Sequence, residues 1–401
     1  MIALAWGTVL ASAMPSARGE SLAAGCGLPR PWHVSGGDDW PPVPAVYAHR
    51  GASALRPEHT LEAYRQAIAD GADVIEPDLV ITRDGVLVAR HENALAVLGP
   101  DGHVVEATTD VAERPDYADR RTTKTVDGRR VSGWFAEDFS WAELQTLRAR
   151  ERIPAIRPAN ARLDGRYGIP SLQQIVDLVR SESTRLGRAI GMAPETKHPT
   201  YFQSIGMPLE EPLVALLEAN GLNQADSPVV IQSFEVANLQ ALRQRTPVRL
   251  AQLVGARGQP YDFTVAGDSR SYADLLTPEG LAAMRRYADV LAPVKSLVLG
   301  PEAVARGGAA SELVARAHAA DLSVVVWTLR PENAFLPAAL KGEPVGDDTV
   351  RGRGEAEVAA YLRAGVDGVF ADDPGVARRA VDAAAGTAKS AAAAACGSGR
   401  R

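Results

Sequence analysis

From residue 45 onward, short apolar, β-branched runs alternate with segments whose apolar residues recur every three or four positions. The strand-like runs are 45–49 (AVYAH), 73–82 (DVIEPDLVIT), 86–91 (VLVARH), 188–195 (RAIGMAPE), 228–234 (PVVIQSF), 248–254 (VRLAQLV), 289–294 (DVLAPV), 323–329 (SVVVWTL) and 366–371 (VDGVFA). Between them, Leu61, Tyr64 and Ile68 share a helix face that stops at Gly71. Leu172, Ile175, Val176 and Val179 form a second stripe, and Leu213, Leu216 and Leu217 a third. Nearly continuous apolar strands separated by helices imply a parallel sheet with helices packed over it. Eight or so such units in ~340 residues suit a closed (β/α)8 TIM barrel, an α/β fold, better than an open sheet.

Nine strand-like runs are one more than a barrel needs. The turn Thr82-Arg83-Asp84-Gly85 is far too short for a parallel crossover, so 73–91 contains an antiparallel hairpin, an accessory at the barrel mouth. Residues 94–168 are polar, rich in Asp, Arg and Thr, and show little periodicity; they read as a long loop insertion over the C-terminal face of the barrel. The chain then divides into a secretory leader at 1–24, a linker at 25–44, the barrel at 45–380 with its insertion, and a low-complexity tail at 381–401.

Composition narrows the class. Of 401 residues, 46% are hydrophobic and 23% charged, as in an ordinary globular protein. A net charge of −6 argues against a nucleic-acid surface, which needs a basic face, but allows a local basic pocket. The two cysteines, Cys26 and Cys396, make neither a disulfide framework nor a thiolate metal site. The first twenty residues carry a short apolar run followed by small residues, a leader pattern without the usual basic start, and LAAGC at 22–26 loosely matches a lipoprotein site. Export to the periplasm or beyond is the expectation. No stretch approaches the ~20 apolar residues needed to span a bilayer.

Nearly every strand-like run ends in chemistry. His49 and Arg50 close the first; Glu76 and Asp78 sit two apart in the second, hence on one face. His91 ends the hairpin arm, Glu195 and Lys197 repeat the two-apart spacing, and Gln232 and Trp327 lie late in their strands. In a (β/α)8 barrel these ends converge on one mouth. There, Glu76, Asp78 and Glu195 would repel one another unless neutralised, most directly by one divalent cation. Oxygen donors favour Ca2+ or Mg2+ over zinc, with Ca2+ ahead and the choice left open. Arg50 and Lys197 beside it would attract an anion, best a phosphate. Two histidines titrating near neutrality can serve as base and acid.

Plainer readings compete: solvated edge carboxylates, a satisfied core histidine, a surface ion pair between Glu195 and Lys197. For His33, His59, His103, His198 and His318 a structural role is preferred. The stretches 35–40 (SGGDDW) and 346–350 (GDDTV) are turns, because no closing Glu follows as in a calcium loop.

The motifs also resemble a known family. HRGASALRPEHT at 49–60 resembles the HRG…PENT signature of the glycerophosphodiester phosphodiesterases, and EPDLVITRDGVLVARHE at 76–92 their E-x-D…T-x-D-G…V-x-H-D block. ETK at 195–197, IQSF at 231–234, VWTLRPENAFLP at 326–337 and DGVFADDP at 367–374 follow in order. The long insertion and RPENAFLP resemble the exported bacterial branch. The resemblance implies a metal-dependent barrel that hydrolyses small-molecule glycerophosphodiesters, the deacylated phospholipids, to glycerol 3-phosphate and an alcohol. It implies His49 as general base and His91 as general acid, with a cyclic phosphate intermediate. Glu76, Asp78 and Glu195 would hold the metal, and Arg50 and Lys197 the phosphate, with Gln232 and Trp327 as further substrate-binding candidates. Two positions depart from the pattern: Glu92 replaces an Asp, adding a methylene, and His59 replaces an Asn, altering a local hydrogen bond. Two rival readings remain: a lipase-like enzyme on intact lipids, disfavoured by the polar insertion, and a non-catalytic binding module, disfavoured because both histidines and all three carboxylates are present.

Overall fold

The computed structural model describes residues 40–398, with side chains as far as 386. The leader stretch, Cys26, His33, the side chain of Cys396 and most of the linker lie outside the described residues. The barrel ring begins with β1 (Ala45–His49). Its second position is one strand broken at Pro77 into β2 (Val74–Glu76) and β3 (Asp78–Ile81), because proline offers no N–H to the ladder. β4 (Leu87–Ala89) pairs antiparallel with β3, as the short turn requires. The insertion follows with β5 (Ala94–Leu98), β6 (Val104–Ala107), β7 (Thr122–Val126) and β8 (Arg129–Phe135). The third ring position is again split, into β9 (Gly191–Met192) and β10 (Glu195–Thr196). The ring continues with β11 (Val230–Ser233), β12 (Arg249–Val254), β13 (Val290–Pro293), β14 (Ser323–Leu329) and β15 (Gly368–Ala371). β15 pairs parallel with β1, β1 with β2, β2 with β9, β3 with β10, and β10 with β11, so the eight positions close on themselves.

Alternation sorts the side chains. Ala45, Tyr47, Val74, Ala193, Val230, Ala251, Leu253, Val290, Ala292, Val325 and Phe370 fill the barrel interior, while Val46, Ala48, Ile75, Ile231, Leu250, Leu291, Val324, Val326 and Val369 pack under the helices. Trp40 belongs to the interior cluster and lies against β9; a Cβ at Gly191 would fall 1.9 Å from its ring. The end of the 25–44 segment is therefore part of the barrel core and not a linker. The helix Leu61–Ala69 is capped by Thr60, whose Oγ1 accepts from Ala63 N, and Leu172–Leu186 starts on a Ser171–Gln174 capping box. Their predicted stripes are buried apart from Leu61, which is half-buried; in Glu210–Ala219, Val214 is buried and Leu216 only half-buried. The last helix, Pro374–Ser398, runs straight through the boundary placed at 381, and Val381 is buried.

Residues 94–168 correct the loop reading. Their first half is a four-stranded antiparallel sheet, ordered β6-β5-β8-β7. Leu95, Trp134 and Phe135 are buried on it, and Tyr117 stacks edge-on to Phe139. The period-2 signal is faint because the strands are short, β6 places Val104 and Val105 side by side on the surface, and β7 is mostly polar and exposed. Among the described residues, no helix is long and apolar enough to cross a membrane.

Candidate active site

Strand register builds the site. His49 lies opposite Glu76 across β1 and β2, and Glu195 lies opposite both Asp78 and Gln232 across β3, β10 and β11. After His49 the chain turns through two left-handed residues, Arg50 and Gly51. Glycine is required at 51, where a Cβ would sit 2.7 Å from the Ala63 carbonyl carbon. The turn aims the Arg50 N–H at Glu76 Oε2, 2.8 Å away.

Glu76, Asp78 and Glu195 are buried, and one oxygen from each lies within 4.8 Å of the others. Burial, then the neighbouring carboxylates, pushes Glu76 well above the usual carboxylate range and Glu195 up to about 8. Asp78, although buried, is held well below that range by Lys197, His59 and Arg50. An oxygen-only cluster in which two carboxyls resist ionising lacks a positive charge at its centre, and a divalent cation fits it. Gln232 Nε2 donates to Glu76 Oε1 (3.0 Å) and the Ala193 carbonyl (3.1 Å), which orients the carboxylate. Its own Oε1 is buried without a partner. His59, read from sequence as structural, is a fully buried, satisfied histidine, yet its partner is a candidate ligand. Its Nε2 donates to Asp78 Oδ2 (2.9 Å), and its Nδ1 accepts from the Tyr64 hydroxyl (2.8 Å).

The two candidate catalytic imidazoles flank this cluster in one narrow pocket of about 90 Å3, with Arg50, Lys197, Phe234 and Trp327. His49 Nδ1 donates to Asp372 Oδ1 at 2.6 Å. Asp372 Oδ2 in turn accepts from Arg157 (2.5 Å) and Arg330 (3.0 Å), and Arg157 is braced by Glu332. His91 Nδ1 lies 3.0 Å from Glu92 Oε1. Burial and Arg50 pull His49 down to about 4 against the pull of Asp372; burial, Arg50 and Lys197 pull His91 down to about 3. Both rings are neutral at pH 7 in the unliganded protein.

Lys197 Nζ donates to Glu195 (2.8 Å), while the Arg50 guanidinium bonds Glu58 (3.0 Å) and lies 3.3 Å from Asp78. Arg152, from the insertion, bonds Glu58 as well. The Trp327 indole donates to the Ala292 carbonyl and meets Phe234 edge-on at 5.6 Å. A wider cavity of about 730 Å3 adjoins the pocket through His91 and Phe234, roofed by Val97, Glu106, Val131 and Arg152 of the insertion. A cavity of about 1350 Å3 between the helices Gly354–Arg363 and Pro374–Ser398 contains none of this chemistry.

The structure brings all nine candidate residues read from the sequence into this region, together with Asp372, Glu58, Arg157 and Arg330, which that reading did not single out. Asp372 carried a usable signal, since it directly follows a strand end like the others. His198, likewise read from sequence as structural, bonds Glu92 (2.9 Å) and Asp127 (2.6 Å). Backbone strain marks the same region. Of five non-glycine residues with positive φ among the described residues, four are Arg50, His59, Asp127 and His198.

The sequence profile of the glycerophosphoryl diester phosphodiesterase family matches residues 49–376. A glycerophosphodiester phosphodiesterase of Arabidopsis thaliana is 29% identical over 347 residues, covering 83% of this chain and 84% of its own. A solved family structure from Silicibacter pomeroyi aligns with a TM-score of 0.57 at 21% identity, over 86% of this chain and 95% of that one. An Oleispira antarctica phosphodiesterase, solved with its product sn-glycerol 3-phosphate, aligns with a TM-score of 0.51 at 19% identity, over 85% and 97%. At such identities the solved structures speak for the fold, the TIM barrel, alone. Profile and sequence relatives together show that this chain belongs to the glycerophosphoryl diester phosphodiesterase family and is a glycerophosphodiester phosphodiesterase.

Proposed function

We propose that the enzyme hydrolyses soluble glycerophosphodiesters to glycerol 3-phosphate and an alcohol, outside the cytoplasm, with one divalent cation, Ca2+ ahead of Mg2+. The observation that carries this reading is the placement of two imidazoles and two cations around one pocket, with a buried carboxylate triad beside them. A divalent cation held by Glu76, Asp78 and Glu195 would supply Lewis-acid polarisation of a phosphate oxygen and of a glycerol hydroxyl. Arg50 and Lys197 hold the phosphate and offset charge on its equatorial oxygens. His49, tethered through Nδ1 to Asp372, has Nε2 free of a proton and takes one from the glycerol hydroxyl adjacent to the ester. That oxygen attacks phosphorus, giving a cyclic phosphate, and His91 delivers a proton to the departing alcohol. Burial first, then Arg50 and Lys197, depress His91; a bound phosphate offsets the two charges and so favours the protonated ring with substrate in place. Water then opens the ring with the two histidines in reversed roles.

The test is release of glycerol 3-phosphate from a panel of headgroup diesters, with chelator and then with Ca2+ or Mg2+ restored. Activity should vanish with chelator and return with one metal, and a diester without a hydroxyl next to the ester should be a poor substrate. Turnover indifferent to chelation overturns the metal assignment; equal turnover of the two diester types overturns the internal attack.

A further inference from the structure

His198 is the residue whose surroundings the proposed chemistry leaves unexplained. It directly follows Lys197, adopts a left-handed backbone (φ 47°) and is mostly buried. Each ring nitrogen faces a carboxylate: Nδ1 is 2.6 Å from Asp127 Oδ2, and Nε2 is 2.9 Å from Glu92 Oε2. An ionised carboxylate only accepts, so both nitrogens must donate, and only the imidazolium does that. Glu92 divides its oxygens, giving Oε2 to His198 and placing Oε1 3.0 Å from His91 Nδ1. Asp127 sits in the turn between β7 and β8, so the chain of contacts runs from the tip of the insertion through His198 and Glu92 to His91. A glutamate has one more rotor than an aspartate and would hold an imidazole less firmly if anchored at one oxygen; here both are engaged.

We propose that His198, clamped by Asp127, is a positioning residue for the general acid: it locks Glu92 so that His91 presents its Nε2–H to the leaving oxygen. The inference rests on the reading of His91 as acid. In that step the P–O bond to the headgroup breaks while the proton moves from His91 Nε2 to the departing oxygen, leaving a neutral imidazole and a free alcohol. The insertion thereby becomes part of the acid's support as well as the roof of the wider cavity beside the pocket.

The experiment compares kcat and KM on two diesters that share the glycerophosphoryl half. Glycerophosphocholine releases an alkoxide that needs a proton; the p-nitrophenyl diester releases a phenolate that does not. His198→Gln, whose amide donates from one end only and would turn its carbonyl oxygen toward the other carboxylate, should lower kcat on the choline diester about tenfold or more beyond any loss on the aryl diester. KM for the choline diester should change little. Asp127→Asn should show the same bias, and His198→Lys, which keeps a cation between the carboxylates, should recover part of it. Activity on the aryl diester also reports that each variant folds. Equal losses on both diesters, or none on either, overturn the latch. His91→Ala on the same pair separates the two readings. If it shows the bias while His198→Gln does not, only the latch fails; if it shows no bias, the acid assignment fails and the latch with it.

Discussion

The proposed role of His49 as base asks for a neutral ring, which burial and Arg50 favour against the pull of Asp372, while Asp372 fixes the proton on Nδ1. Asp372→Asn keeps the shape but can turn an amide donor toward the ring and favour the wrong tautomer. We expect kcat on glycerophosphocholine to fall by about 10²-fold or more with little change in KM, measured by steady-state kinetics. Removing either imidazole, in His49→Ala or His91→Ala, should lower kcat by ~10²–10⁴-fold. An Asp372→Asn variant with wild-type kcat would show that the dyad does not act. At this scale much of the site was legible. His49, Glu76, Asp78, His91 and Glu195 are polar residues in or at the ends of apolar runs, which is a local signal. The pairing of His49 with Asp372 spans 323 positions and leaves no local trace.

Between elements, the insertion does more than cover the mouth. Arg157 reaches Asp372, Arg152 reaches Glu58 and Asp127 reaches His198, so the partners of His49, Arg50 and Glu92 all lean on one segment. Burial disfavours the charged His198, but hydrogen bonds with Asp127 and Glu92 more than offset it and lift the ring to about 9. A free imidazole titrates near pH 6.5. The docking contribution is therefore complete below about pH 6.5 and is lost as pH rises through about 9. Hydrogen exchange of the β7–β8 amides, corrected for intrinsic rate, should accelerate between pH 7 and 10 in the wild type and much less in His198→Gln. Identical pH dependence in the two proteins would refute it. The β3–β4 hairpin was legible because a four-residue turn admits one topology. The β5–β8 sheet was not, because its short strands carry too little alternation.

For the whole molecule, closure of the ring brings buried charge and a plugged core into one stability problem. Trp40 fills the interior beside Gly191, and its truncation to alanine should cost about 3–5 kcal/mol, seen as a lower Tm. Three buried carboxylates crowd one another in the triad, so a Ca2+ or Mg2+ ion bound there, as proposed, should raise Tm. Linkage gives about 2.7 kcal/mol at a metal concentration of 100 times Kd, and the rise should vanish in Glu195→Gln. A metal-independent Tm in the wild type would contradict the site. What the sequence by itself determined was the alternation of strand and helix, the barrel that this alternation implies, and the polar residues at strand ends, since each depends on neighbours within a few positions. The tertiary structure alone decided which distant groups meet: Asp372 with His49, Arg157 with Asp372, and Asp127 with His198. These contacts span 71 to 323 positions, and they exist only once the ring has closed and the insertion has settled on it.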